Sequence, residues 1–200
     1  MSTTSPTNSP ARRRRADAFA NVSRIVAAAR EVFSSDGPGA TLTQVAAQAG
    51  VGNATLYRHF PNRQALAAAV YEDIFVSEVE PVLTELIESM APREAFLDVI
   101  ESLTEVMYQQ RPLLSSLEHL AELTVALFRR NHALVEALVV KGRETGELRA
   151  DITADDLPTF VAMVTTASVA LNQAPEVRRR YLSLMVDALN PTSAQPLPPV

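Results

Sequence analysis

Between Thr41 and Phe60 the sequence has room for two helices of about two turns each and almost nothing else, which constrains the whole N-terminal part of the chain. Thr41-Leu42-Thr43-Gln44 matches a capping box, in which the Thr41 hydroxyl accepts from the amide three residues on while the Gln44 side chain reaches back. Leu42, Val45, Ala46 and Ala49 share one face up to Gly50, which can take the left-handed conformation common at a helix C-terminus. Only Val51 and Gly52 intervene before Asn53, a favoured N-cap residue, opens another helix with Leu56 and Phe60 on one side and Thr55, Arg58 and His59 on the other. Helices shorter than about 12 residues are marginal alone, so both need a brace. It lies upstream, where Phe19, Val22, Ile25, Val26, Ala29, Val32 and Phe33 step by three and four along one helical face until Asp36-Gly37-Pro38-Gly39 ends it. Short helix, glycine turn, short helix is a helix-turn-helix pattern, and the exposed start of its second member is what enters a DNA major groove.

The rest of the chain reads as helix. Leu66, Val70 and Ile74 mark a long connecting helix that Pro81 is predicted to bend or break, and further helices are expected over 93–109, 113–129, 133–145, 154–172 and 176–190. No strand alternation competes, so the expected fold class is all-α, a three-helix DNA-binding domain followed by a helical bundle. The expected organisation is a disordered basic arm over 1–16, the helix-turn-helix domain over 17–63, a helical domain over 64–190 and a proline-rich tail over 191–200.

Charge is divided unevenly. Residues 1–63 hold eight Arg against three acidic residues, a surplus of five, while residues 64–200 hold ten basic against twenty acidic side chains, a deficit of ten. A basic end on an acidic body suits one end meeting phosphate while the remainder stays off it; the alternative is a basic tail of no consequence. The absence of cysteine excludes disulfides, thiolate nucleophiles and Cys-ligated zinc. No signal-peptide core is present, and no apolar run approaches the roughly 20 residues that span a bilayer, so a cytoplasmic protein without a membrane partner is expected. With no nucleophile elbow, phosphate loop or histidine cluster, no enzyme activity, metal or cofactor is expected.

The Ala49-Gly50-Val51 turn, the run Thr55-Leu56-Tyr57-Arg58-His59-Phe60 and Arg63 three residues beyond it, all at fixed offsets, closely resemble the DNA-binding signature of the tetracycline-repressor (TetR) family. The resemblance covers roughly residues 17–70; Ala54 departs from it, standing where many members have Gly or Pro, which reads as a difference in specificity. It implies a homodimeric regulator, a repressor on a near-palindromic operator, whose divergent C-terminal helical domain dimerises and binds a small-molecule effector that releases DNA. A member without a sensor, constitutive or partner-controlled, is the alternative; a non-specific architectural protein is disfavoured by the acidic C-terminal domain.

The resemblance also implies residue roles. Thr43 is expected on a phosphate, Tyr57 and His59 on the DNA backbone, and Arg63 as a phosphate anchor. Asn53, Ala54 and Thr55 lie where side chains reach base edges, Asn53 being either an adenine reader or only a cap, while Arg58 takes phosphate or guanine. Arg12 to Arg15 either track DNA or remain a solvated tail. In the C-terminal domain Met90, Phe96, Met107, Tyr108, Leu114, His119, Phe128, Phe160 and Met163 are pocket candidates or plain core, with Arg111, Glu118 and Glu122 as further polar candidates. The segments 157–171 and 177–189 are the dimerisation candidates, because Ala162, Thr165, Ala167 and Ser168 let helices approach closely around Phe160, Val161 and Val164. Arg178 to Arg180 read as a solvated face.

Overall fold

The structure is a computed structural model that describes residues 10–88, 104–106, 108–114, 117–171 and 174–190. Among the described residues there are helices and turns and no strand. They group into two compact units, one ending at Val70 and the other beginning at Tyr71.

The first unit contains α1 (Pro10–Asp36), a 3-10 turn (Gly37–Gly39), α2 (Leu42–Gln48), α3 (Asn53–His59) and the first turns of α4 (Arg63–Ile74). Helix α1 already starts at Pro10, where a disordered arm was expected up to residue 16; proline suits the first helical turn, and Arg12 to Arg15 are good helix formers. Residues 1–9 of that arm, and the tail over 191–200, lie outside the described residues. Ile25, Val26, Ala29 and Phe33 are buried as the periodicity requires, but Phe19 is 79% exposed and does not belong to the core. The reason is length: at about 1.5 Å per residue the 27 residues of α1 run about 40 Å and the seven of α2 about 10 Å, so the first turns of α1 overhang the short helices.

In the second unit the connecting helix does not break at Pro81. It passes from α4 through a π turn (Phe75–Val79) into α5 (Glu80–Glu88), and the Glu80 amide donates to the carbonyl of Phe75, five residues back. Proline lacks an amide hydrogen and its ring collides with the carbonyl four residues earlier, and a wider turn just before it relieves both problems without ending the helix. After helical residues at 104–106 and 108–109 come α6 (Arg111–Leu114), α7 (Leu120–Arg130), α8 (His132–Glu144), α9 (Asp156–Leu171) and α10 (Pro175–Asp187). The expected single helix over 113–129 is interrupted at 117–119. Helix α7 packs along α9, and α5 along α8. Tyr71, fully buried, hydrogen-bonds the Thr124 hydroxyl at 2.7 Å, Thr124 in turn donates to the Leu120 carbonyl at 2.8 Å, and the Phe75 and Phe128 rings meet edge to face at 5.0 Å.

Candidate nucleic-acid interface

The local structure of the helix-turn-helix follows its sequence closely. Thr41 caps α2 in a capping box: its hydroxyl accepts from the Gln44 amide at 3.3 Å, and Gln44 Oε1 accepts from the Thr41 amide at 2.8 Å. Gln44 Nε2 also donates to Asp36 at 2.9 Å and Gln48 Nε2 to Glu31 at 2.9 Å, tying both ends of α2 to α1. At the turn the Gly50 amide donates to the Ala47 carbonyl and the Val51 amide to the Ala46 carbonyl, a Schellman motif that places Gly50 at φ 64°. The cap of α3 is Gly52 rather than Asn53: the Gly52 carbonyl accepts from Thr55 and Leu56, and Asn53 is the first helical residue, with no capping bond. Its side chain is therefore exposed and not committed to the helix end.

At about 100° per residue, Asn53, Ala54, Tyr57 and Arg58 share one arc of α3, and all four are exposed, Tyr57 by 49%. Leu56, fully buried, and Phe60, just beyond the helix, hold α3 to the core. Thr55 and His59 lie on the flanks, half-buried. His59 Nε2 is buried without a hydrogen-bond partner. Thr43 is exposed near the start of α2. Asn53, Ala54, Tyr57 and Arg58 are thus the expected residues that share one exposed arc of α3, Thr55 and His59 are half-buried beside it, and Thr43 is exposed on α2.

Arg63 is engaged within its own unit. It is half-buried, its Nη2 donates to the Gly37 carbonyl at 2.8 Å, its Nη1 donates to the Ala40 carbonyl, and its guanidinium lies 4.5 Å from the centroid of the Phe33 ring. The expected phosphate anchor is thus engaged inside the unit. Position alone could not distinguish the two roles, because Arg63 lies at the first residue of α4 in either case.

The second unit offers apolar surface and one unforeseen buried charge. An open groove of about 1010 Å³ runs between α7 and α9, lined by small side chains such as Ala121, Ala126, Ala167 and Ala170, with Arg129 and Arg130 also lining it. A cavity of about 830 Å³ lies by the start of α9, lined by Asp151, Asp155 and Phe160 among others. Of the pocket candidates, Leu114 and Phe128 are core, Phe160 and Tyr108 are half-buried, His119 and Met163 are exposed, and Met90, Phe96 and Met107 lie outside the described residues. Arg111 is half-buried, while Glu118 and Glu122 are exposed. In the dimerisation candidates Ala162 and Val164 are buried, Phe160 and Val161 half-buried and Ala167 exposed. A stripe of Val177, Tyr181 and Leu184 on α10, with Met163 and Leu171 on α9, is also exposed.

Arg179 and Arg180 are solvated as expected, but Arg178 is only 6% exposed. Its Nη2 donates to Glu105 at 2.6 Å, its guanidinium covers the Tyr108 ring at 4.0 Å, and Nη1 is buried without a partner. The signal was in the spacing: Arg178, Leu182, Val186 and Leu189 are separated by four, four and three residues, and all are buried. Among the described residues no cluster of three His, Asp or Glu side chains could hold a metal ion, and no helix is long and apolar enough to cross a membrane.

Comparison with known proteins gives a consistent picture. Residues 25–70 match the family model for bacterial regulatory proteins of the tetR family, and residues 91–191 match that for the C-terminal domain of SbtR-like transcriptional regulators. No curated protein sequence matches significantly. Among solved structures, the TetR regulator SCO0520 of Streptomyces coelicolor is 27% identical with a TM-score of 0.52, the match covering 86% of this chain and 99% of that one. A TetR regulator of Mycobacterium vanbaalenii is 28% identical with a TM-score of 0.50, covering 88% and 98%. The repressor FadR of Thermus thermophilus, solved with lauroyl-CoA, shares the fold at 18% identity with a TM-score of 0.61, covering 90% and 98%. With a helix-turn-helix matching the family's DNA-binding model and a helical remainder matching one of its C-terminal domains, the chain belongs to the TetR family of transcriptional regulators.

Proposed function

We propose that the protein is a repressor that binds a near-palindromic operator as a homodimer and leaves it when a small molecule occupies the C-terminal domain. Residues 17–63 are taken as the DNA-binding domain and 64–190 as the ligand-binding and dimerisation domain. The observation that carries the DNA reading is the single exposed arc of Asn53, Ala54, Tyr57 and Arg58, backed by a buried Leu56. Asn53 and Ala54 meet base edges, Thr55 supports them from the flank, Tyr57, His59 and Thr43 contact the DNA backbone, and Arg58 takes phosphate or guanine. Dimerisation through α9 and α10 is supported by their exposed apolar stripe, since two helices from each subunit would close a four-helix interface about a two-fold axis. Effector binding is supported by the likeness to FadR, whose structure holds lauroyl-CoA.

The test is a gel shift at fixed salt, with an operator selected from random duplexes and an unrelated duplex as competitor. Asn53→Ala is expected to cost operator binding about 1–3 kcal/mol and to relax base preference while leaving random DNA unaffected. Tyr57→Phe is expected to weaken both duplexes alike. Equal losses on both duplexes for Asn53→Ala would remove the base-reading role.

A further inference from the structure

Arg63 joins the two ends of the helix-turn-helix. Ala40 immediately precedes the Thr41 cap of α2, and Arg63 is the first residue of α4, just beyond α3. The hydrogen bond from Arg63 to the Ala40 carbonyl therefore spans 23 residues and brackets both helices of the motif, while the bond to Gly37 and the stack on Phe33 tie the same guanidinium to α1 and its terminal turn. We infer that Arg63 is a positioning residue, which holds the start of α2 at a fixed distance from the end of α3 so that Thr43 and the exposed arc of α3 engage DNA together, and that it does not act by neutralising a phosphate. This inference rests on the reading of α3 as the DNA-reading helix.

Three physical arguments support it. Helices of seven residues cannot hold their own relative geometry, so it must come from contacts that reach around them. The Gly37 carbonyl, in the turn that ends α1, accepts from the Ala40 amide at 3.2 Å as well as from Arg63, and carbonyls at a helix C-terminus carry partial negative charge, which favours a cation there. A planar guanidinium can also donate to two carbonyls while stacking on a ring, which a lysine ammonium cannot do. The starting point of the side chain is itself fixed, because Asn62 caps α4 by accepting from the Ala65 amide at 2.8 Å.

The experiment measures operator and random-duplex affinity of the full chain across a salt series for the wild type, Arg63→Lys and Arg63→Gln, together with melting temperature. Both variants are expected to lose about tenfold in operator affinity at a temperature where circular dichroism shows them folded, a modest coupling loss on the usual scale. The slope against salt and the binding of random DNA should stay as in the wild type, and Lys should not rescue. A slope reduced by about 0.9 in Arg63→Gln and restored in Arg63→Lys would instead identify a phosphate contact and overturn the inference. A lower melting temperature with unchanged operator affinity would overturn it as well, leaving only a stabilising role. Arg63→Lys keeps the charge and stem and carries the test if Arg63→Gln does not fold. A wild type without operator preference would fail the DNA reading itself, and this inference with it.

Discussion

At the scale of single residues, the helix-turn-helix separates side chains that hold it together from side chains left for a partner. Gly50 belongs to the first kind through its backbone alone. It sits at φ 64° with nothing within 4 Å of where a Cβ would be, so Gly50→Ala should meet no steric clash and should still cost about 1 kcal/mol of stability from the left-handed conformation, read as a lower urea midpoint at unchanged m-value. Asn53 belongs to the second kind: because Gly52 is the cap, Asn53→Ala should change stability by less than about 0.5 kcal/mol while impairing operator binding. A loss of about 1 kcal/mol or more would show that its side chain caps α3 after all. Capping chemistry was legible at Thr41 and Gln44, where spacing alone specifies a reciprocal bond. It misled at Asn53, because a residue type that favours the cap also tolerates the next position.

At the scale of elements, the second unit's start is anchored to α7 by a buried hydrogen bond and by aromatic packing. Burial pushes the Tyr71 phenol above its usual value of 10.0, the hydrogen bond to Thr124 opposing this shift. A folded-state value above the unfolded one means that the protonated phenol favours the folded protein. Its contribution is therefore complete below about pH 10 and is lost as pH rises through the higher folded value. Tyr71→Phe should cost about 1 kcal/mol near neutral pH by removing the bond to Thr124, and should flatten the fall in the urea midpoint above pH 10. An alkaline profile identical to that of the wild type would show that another group controls that limb. Periodicity located most helices, but it could not foresee that the chain would absorb Pro81 with a π turn, because a break and a widened turn satisfy the same missing amide.

At the scale of the whole molecule, the exposed apolar stripe on α9 and α10 leads to a test of assembly. Tyr181 and Leu184 are 51% and 57% exposed, so replacing both with Asp should leave the helical content intact. Light scattering should then find the 21.7 kDa monomer where the wild type gives twice that mass. Operator affinity should drop by at least about 100-fold, because two linked half-site contacts become independent events. A dimer that survives the double change would move the interface elsewhere. The sequence by itself determined the all-helical class, the two short helices of the helix-turn-helix and the Thr41 capping box, because those depend on local periodicity, backbone freedom and short-range hydrogen bonds. Only the tertiary structure decided that Phe19 lies beyond the core, that Arg63 turns inward onto Phe33 and two carbonyls, and that Arg178 is buried against Tyr108 and Glu105. Each of those outcomes depends on which distant segment lies opposite the side chain, and local spacing carries little information about that.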